Sequence, residues 1–69
     1  MNSHTVDLLK ECDSGTKTAV NSIKEVMDNI NSQQLRELLT DSLTYHEELG
    51  NEIHEMLTAL GEEGKDPNP

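Results

Sequence analysis

The sequence predicts an all-α protein, an antiparallel helical hairpin that pairs into a four-helix bundle. Three observations predict this fold. Apolar residues recur at three- and four-residue spacing along two segments, neither segment contains proline, and only the short polar stretch NINSQQL separates them. We expect helices over about 4–29 and 32–60, so that residues 1–61 form one hairpin domain.

The apolar residues of each segment occupy an arc wider than a single helix–helix contact covers. In the first segment they are Val6, Leu9, Cys12, Ala19, Val20, Ile23, Val26, Met27 and Ile30. In the second they are Leu35, Leu38, Leu39, Leu43, Leu49, Ile53, Met56, Leu57 and Leu60. Because one contact leaves part of each arc uncovered, we expect a homodimer or higher homo-oligomer, or a second half missing from this chain.

The predicted helix ends follow from turn and capping residues. Asn31 is the expected N-cap of the second helix, with Gln34 completing a capping box and Ile30 packing on Leu35 as a hydrophobic staple. Gly61 is the expected residue just beyond the end of that helix. Residues 62–69, EEGKDPNP, are rich in helix breakers and are expected to form a polar tail or a severed linker.

Charge and composition exclude several classes of partner. Fourteen acidic residues against five basic ones give a net charge of −9, which disfavours binding to nucleic acid or to an anionic membrane. A basic protein partner or a cation is easier to accommodate. Cys12 is the single cysteine, so no internal disulfide is possible, and it is expected to be a small core residue. With no secretory signal and no long apolar run, the chain is expected to be cytoplasmic.

Polar residues interrupt both apolar arcs. On a helical wheel Ser42 and His46 fall inside the arc of the second helix, and Asp13 and Thr16 fall inside that of the first, whereas His54 faces solvent. If these four inward residues satisfy one another, the polar layer fixes the register of the hairpin and its oligomeric state.

The height of this layer depends on the position of the turn. A turn centred on residues 31–32 places Thr16 level with Glu47 and Asp13 level with Gly50, so that His46 lies within one helical turn of Asp13. Gly15 falls in the same slice as Gly50, and two helical glycines at one level predict a close approach or a cavity.

A metal site is the alternative interpretation of the polar layer. A dimer would bring two copies of Asp13 and His46 together, with Glu52 or Tyr45 at the rim. Nitrogen and oxygen ligands of this kind suit Fe, Zn or Mn. Apart from such a metal, the sequence predicts no cofactor.

The run LLKECDSGTKTAVNSIKEVMDNINSQQLRELLTDSLTYHEELGNEIHEML resembles the first two helices of small bacterial ferritin-like domains of unknown function. The resemblance covers residues 6–60 and rests on the hairpin length, on Asp13 and Gly15 as Asp-x-Gly, and on acidic residues around His46. It implies a four-helix bundle. Metal-binding members use a glutamate from one helix and Glu-x-x-His from the next. By this resemblance His46 matches the histidine, but Leu43 replaces its glutamate and Asp13 stands where a longer glutamate is usual.

These observations predict a non-catalytic oligomerisation or protein-interaction module. The alternative is a ferritin-like metal-binding protein that uses the inward Asp and His layer. A phosphoryl relay is a third hypothesis, because HEELGN resembles the phospho-acceptor segment of sensor kinases. It is disfavoured because His46 is expected to point inward and no nucleotide-binding glycine loop is present. The sequence predicts no catalytic residue, so the protein is not expected to be an enzyme.

Overall fold

A computed structural model describes residues 3–67, which contain two helices that pack against each other. Helix α1 spans Ser3–Met27 and helix α2 spans Gln33–Ala59. The all-α hairpin is therefore confirmed, with each helix end within one or two residues of its predicted position. Met1, Asn2, Asn68 and Pro69 lie outside the described residues, so the last two positions of the predicted tail are among them.

Ser32, not Asn31, caps α2. Its backbone is extended, with φ −85° and ψ 122°, and its side chain accepts a hydrogen bond of 3.2 Å from the backbone N–H of Leu35. The predicted Asn31 cap is wrong because the serine hydroxyl one residue later takes this role. The capping box with Gln34 fails with it, since the helix starts one residue too late for that spacing. The Arg36 guanidinium also donates to the Ile30 carbonyl at 2.9 Å.

The end of α2 matches the prediction for Gly61. This glycine has a φ of 72°, which non-glycine residues rarely adopt. Its N–H donates to the Thr58 carbonyl at 3.0 Å, and the Glu62 N–H donates to the Leu57 carbonyl at 2.9 Å. These two bonds form a Schellman motif. The motif reverses the chain, so residues 62–67 return along α1.

The register differs from the predicted one by about one helical turn. Thr16 lies opposite Gly50 rather than Glu47, because a Cβ added to Gly50 would lie 3.3 Å from the Thr16 Oγ1. The turn after α1 ends with the Asn29 N–H bonded to Val26, and residues 30–32 then run without regular structure before α2 begins. Because of these extra residues, the first turns of α2 extend beyond the C-terminal end of α1. All of residues 31–38 are consequently exposed.

The hairpin is a single layer of helices. Its Cα dimensions are 46 × 23 × 14 Å and its radius of gyration is 14.1 Å, against about 11 Å for a compact chain of this length. Within residues 3–67, Ile53 and Leu57 are the only buried hydrophobic side chains. Cys12 was predicted to be a core residue, but it is exposed because it lies on a face of α1 that α2 does not cover.

Neither of the two helices in the described part of the chain is long and apolar enough to cross a membrane.

We expect Ser32→Ala to lower the free energy of unfolding by about 1 kcal/mol, because it leaves the Leu35 N–H without its side-chain acceptor. Asn31→Ala is the matched control and should change stability by less than about half of that amount. Chemical denaturation of both variants, followed by circular dichroism, gives the comparison. Equal losses in the two variants would contradict the assignment of the cap.

Candidate functional site

The side chain of Asp13 is buried between α1, α2 and the returning segment. Only 2% of its surface is exposed, although it is charged. A buried carboxylate requires partners, because an unpaired one costs several kcal/mol. Asp13 has two: the Lys17 ammonium one turn later lies 2.9 Å from its Oδ2, and the backbone N–H of Lys65 donates to the same oxygen at 2.8 Å.

The segment 62–67, which we call the strap, is fastened to α1 by further polar contacts. The Lys17 ammonium donates to the Lys65 carbonyl at 3.2 Å and to the Asp66 carboxylate at 3.0 Å. The Lys65 ammonium pairs with Glu11, and Lys10 lies 3.7 Å from Glu62. The pairs match opposite charges along the two segments. The predicted polar tail therefore lies against the helix over its described part.

A glycine allows the strap to approach this closely. A Cβ added to Gly64 would lie 2.6 Å from the Asp13 Oδ2, far inside van der Waals contact. The carboxylate would have to turn away to admit a side chain, and it would then lose the Lys65 N–H or the Lys17 ammonium. The sequence places glycine at the position where the strap touches Asp13.

The electrostatic environment shifts the pKa of both charged residues. Burial alone would raise the pKa of the Asp13 carboxyl, but the bond from Lys17, the Lys65 N–H, and the charges of Lys17 and His54 outweigh it, so the pKa lies below the ordinary value of 3.8. The bonds to Asp13 and Asp66 raise the pKa of Lys17 above 10.5, although burial opposes them. Both groups therefore stay charged across the neutral range.

A pocket of about 630 Å³, which we call the polar pocket because most of its lining residues are polar, lies between the two helices beneath the end of the strap. Asp13, Thr16 and Val20 line it from α1, His46, Glu47, Asn51 and His54 from α2, and Asp66 and Pro67 from the strap. Its volume is within the range of small-molecule sites. The strap forms one wall of this pocket, so the pocket brings residues of both helices and of the strap together.

The predicted inward polar residues satisfy their hydrogen bonds locally rather than as one layer. The Thr16 hydroxyl donates to the Asp13 carbonyl at 2.9 Å. The His46 Nδ1 lies 2.7 Å from the Ser42 carbonyl and 3.5 Å from the Ser42 hydroxyl. His46 is half-buried, and its ring packs edge-on against that of Tyr45 at 5.5 Å. The expectation that all four residues satisfy one another across the hairpin is therefore wrong, because each pair closes within its own helix.

Of the two glycines predicted to allow a close approach of the helices, one does so. Gly50 allows the close approach of Thr16 described above. Gly15 is exposed, and a Cβ added to it would meet nothing within 4 Å. Gly15 lies one residue before the inward Thr16, so it is on the side of α1 that α2 does not cover, whatever the register.

The three predicted metal ligands, Asp13, His46 and Glu52, do not converge within one chain. Asp13 is paired with Lys17, and its electrostatic neighbour on α2 is His54 rather than His46. Glu52 is exposed, six residues after His46 and therefore on a different side of α2. Among residues 3–67, no group of three or more His, Cys, Asp or Glu side chains is placed to hold a metal ion. Binding of Fe, Zn or Mn by these residues from two copies of the chain stays a prediction.

The two sides of the hairpin differ sharply. On each helix, the residue just after an inward position points to the pocket side, as Lys17 follows Thr16 and Asn51 follows Gly50. The residue just before points to the other side, and because the helices are antiparallel both sets face the same way. We call this second side the apolar face. It is formed by Leu8, Cys12, Ala19, Val26, Leu35, Leu38, Tyr45, Leu49 and Met56.

Sequence reasoning missed the strap and Lys17. A signal for both was present: Asp13 and Lys17 have the i, i+4 spacing of a helical ion pair, and Gly64, Lys65 and Asp66 follow a predicted reversal at Gly61. Periodicity does not reveal that the segment after the reversal has the length and the charges that it needs to contact Asp13.

No family model matches this chain, and searches of curated proteins and of solved structures found no match either. The resemblance to ferritin-like domains therefore has no support from these comparisons and stays an expectation from the sequence.

We expect Asp13→Asn to lower the free energy of unfolding at neutral pH by about 1–2 kcal/mol, because a neutral amide pairs less strongly with Lys17. Since the folded pKa of Asp13 is below 3.8, its contribution is present above that pH and is lost as the pH falls through the folded value. The raised pKa of Lys17 acts at the other end, where stability is lost as the pH rises through it.

Thermal unfolding measured between about pH 7 and pH 2 tests this account. The melting temperature should fall less steeply below about pH 4 in Asp13→Asn than in the unsubstituted chain. Asp41→Asn, at an exposed position on α2, is the matched control and should keep the steep fall. If Asp13→Asn and the unsubstituted chain have the same acid profile, the Asp13 pair does not stabilise the fold.

Proposed function

We propose that the protein is a self-assembly module, in which two copies of the hairpin pack their apolar faces together into a four-helix bundle. The observation that carries this proposal is the large uncovered apolar surface on one side of a single-layer fold. The proposal assigns no catalysis to the chain.

The thickness of the hairpin is the first argument. Stable domains consist of at least two packed layers around a common core, whereas this chain is 14 Å thick in its shortest dimension. Of the apolar face, Leu38 is 64% exposed and Tyr45 is 63% exposed. The overhanging start of α2 adds Leu35, which is 40% exposed. A second hairpin laid across this face supplies the missing layer.

The exposed area is the second argument. The accessible surface of the chain is 5076 Å². A compact monomer of its mass exposes about 4,300 Å². The excess, roughly 800 Å², is close to the ~800 Å² that each partner buries in a standard protein interface. The chain thus exposes about as much extra surface as one side of a dimer contact would bury.

The distribution of charge is the third argument, and it favours a second copy over another occupant. The chain carries 14 acidic residues, yet only one of them, Glu52, lies on the helix side that forms the apolar face. The positions on that side are 8, 12, 15, 19, 22, 26, 35, 38, 42, 45, 49, 52 and 56. Two copies of net charge −9 repel each other unless their charges point away from the contact. Apart from Glu52, the acidic residues of this chain lie outside the positions of the apolar face.

Leu38→Glu tests the proposed interface. Leu38 lies in the exposed first turns of α2, on the apolar face. A carboxylate there should reduce the free energy of dimerisation by roughly 3 kcal/mol, about a hundredfold in Kd, because the charge would be desolvated without a partner. Asn51→Glu adds the same charge on the pocket side and should leave the dimer intact. Sedimentation equilibrium of both variants and of the unsubstituted chain gives the masses.

The expected masses are twice 7.7 kDa for the unsubstituted chain and for Asn51→Glu, and the monomer mass for Leu38→Glu. A monomeric unsubstituted chain at millimolar concentration would overturn the proposal. So would a dimer that Asn51→Glu disrupts and Leu38→Glu does not, since the contact would then lie on the other side.

Cys12 reports on the same interface without any substitution. Its thiol lies on the apolar face and is exposed in the single chain, so dimerisation should cover it. We expect its rate of reaction with an aromatic disulfide reagent to fall by at least about tenfold as the protein concentration is raised through the dimer Kd. A rate that does not depend on protein concentration would contradict the placement of Cys12 in the contact.

A further inference from the structure

We propose that the strap, residues 62–67, opens and closes independently of the helical hairpin and thereby gates the polar pocket beneath it. This inference concerns the side of the molecule opposite the apolar face, so it does not depend on whether the proposed dimer forms.

The first step is that the strap is attached by contacts different in kind from those that hold the helices. The helices pack through Ile53 and Leu57, whereas the strap is joined to α1 by hydrogen bonds and ion pairs. Most of these involve exposed groups: the Asp66 side chain is 91% exposed and the Lys65 side chain 40%. Exposed ion pairs are individually weak and are screened by salt.

The second step is that the strap can leave without disturbing a helix. The Schellman motif at the start of the strap joins Gly61 and Glu62 to α2, and its bonds do not involve α1. Opening from Gly64 onwards breaks contacts to Glu11, Asp13 and Lys17 but none within either helix. Segments with few apolar contacts and exposed polar bonds are the ones that open locally in native proteins.

The third step is that opening changes access to the pocket. Asp66 and Pro67 form the strap wall of the cavity that His46 and His54 line from α2. When the strap is closed, the Asp66 carboxylate forms an ion pair with the Lys17 ammonium on the pocket rim. When it is open, Lys17 and the buried Asp13 become available to a molecule in the pocket.

Salt separates this local opening from unfolding of the whole chain. Added salt screens the pairs that fasten the strap, so it favours the open state. The same salt screens the self-repulsion of a chain of net charge −9, so it stabilises the hairpin. The two responses have opposite signs, and global unfolding alone cannot produce both.

Amide hydrogen exchange of the full chain, at about 0.02 M and 1 M sodium chloride, measures both responses in one sample. The Lys65 N–H, bonded to Asp13, should exchange at least about fivefold faster at high salt. The Leu57 N–H, in the core of α2, should exchange at the same rate or more slowly. If the two amides always exchange at the same rate, or if Lys65 is unprotected at low salt, the independent strap is ruled out.

Gly64→Ala opens the strap by a steric route, because its Cβ would lie 2.6 Å from the Asp13 Oδ2. Gly15→Ala is the matched control, since nothing lies within 4 Å of the Cβ it adds. We expect Gly64→Ala to speed exchange at Lys65 by at least about tenfold with an unchanged helical circular dichroism signal, and Gly15→Ala to leave Lys65 unaffected. Retained protection of Lys65 in Gly64→Ala would overturn the assigned contact.

Asp66→Asn provides a second variant that removes one strap pair without a steric change. For both open-strap variants, reaction of His46 with diethyl pyrocarbonate tests the gate, with His4 at the far end of α1 as the internal reference. The ratio of the His46 rate to the His4 rate should rise by at least about threefold when the strap opens. An unchanged ratio, in a variant whose Lys65 is unprotected, would show that the strap moves but does not gate the pocket.

Discussion

The buried carboxylate of Asp13 is the interaction on which the arrangement of this hairpin depends. A charge in this position is stable only with close partners, and its two partners come from different parts of the chain, Lys17 on α1 and the Lys65 N–H on the strap. This requirement draws the C-terminal segment across one side of the hairpin. The strap thereby covers the polar side around Asp13, whereas it does not reach the apolar face.

This division of the two sides connects local structure to assembly. Gly61 reverses the chain, Gly64 admits the strap to the carboxylate, and the matched charges on α1 and the strap hold the segment in place. None of these contacts buries much apolar surface, so they add little of the hydrophobic stabilisation that a small domain needs. The apolar face is the remaining source of that stabilisation in the described structure, and we propose that packing it against a second copy completes the core.

The sequence predicted the two helices because periodicity along a helix is a local property. Positions such as Gly61 were also predictable, since a C-terminal glycine acts within its own turn. The register was not predictable, because it depends on how far residues 28–32 extend, and these residues place Thr16 opposite Gly50 rather than Glu47. The Asp13 carboxylate pairs with Lys17 within α1 and with the strap, and the predicted polar layer does not form. A helical wheel also ranks Asp13 and Cys12 alike as inward, whereas contact with α2 and the strap buries one and leaves the other exposed.

The ferritin-like resemblance depends on the same positions. Its proposed histidine, His46, closes a bond with Ser42 on its own helix, and its proposed carboxylate is held by a lysine. Glu52, the third predicted ligand, lies on the apolar face rather than beside them. A four-helix bundle made from two copies keeps the architecture that the resemblance implied, and it needs no metal to explain why Asp13 is buried.

The most direct test of this account is the melting temperature of the unsubstituted chain as a function of its own concentration, over about a thousandfold range. If the hairpin is stable only when a second copy covers its apolar face, the melting temperature rises steadily with concentration, because mass action favours the folded dimer. A melting temperature that stays constant over the whole range would show that the single layer is stable by itself. It would contradict the claim that this fold is completed by self-assembly.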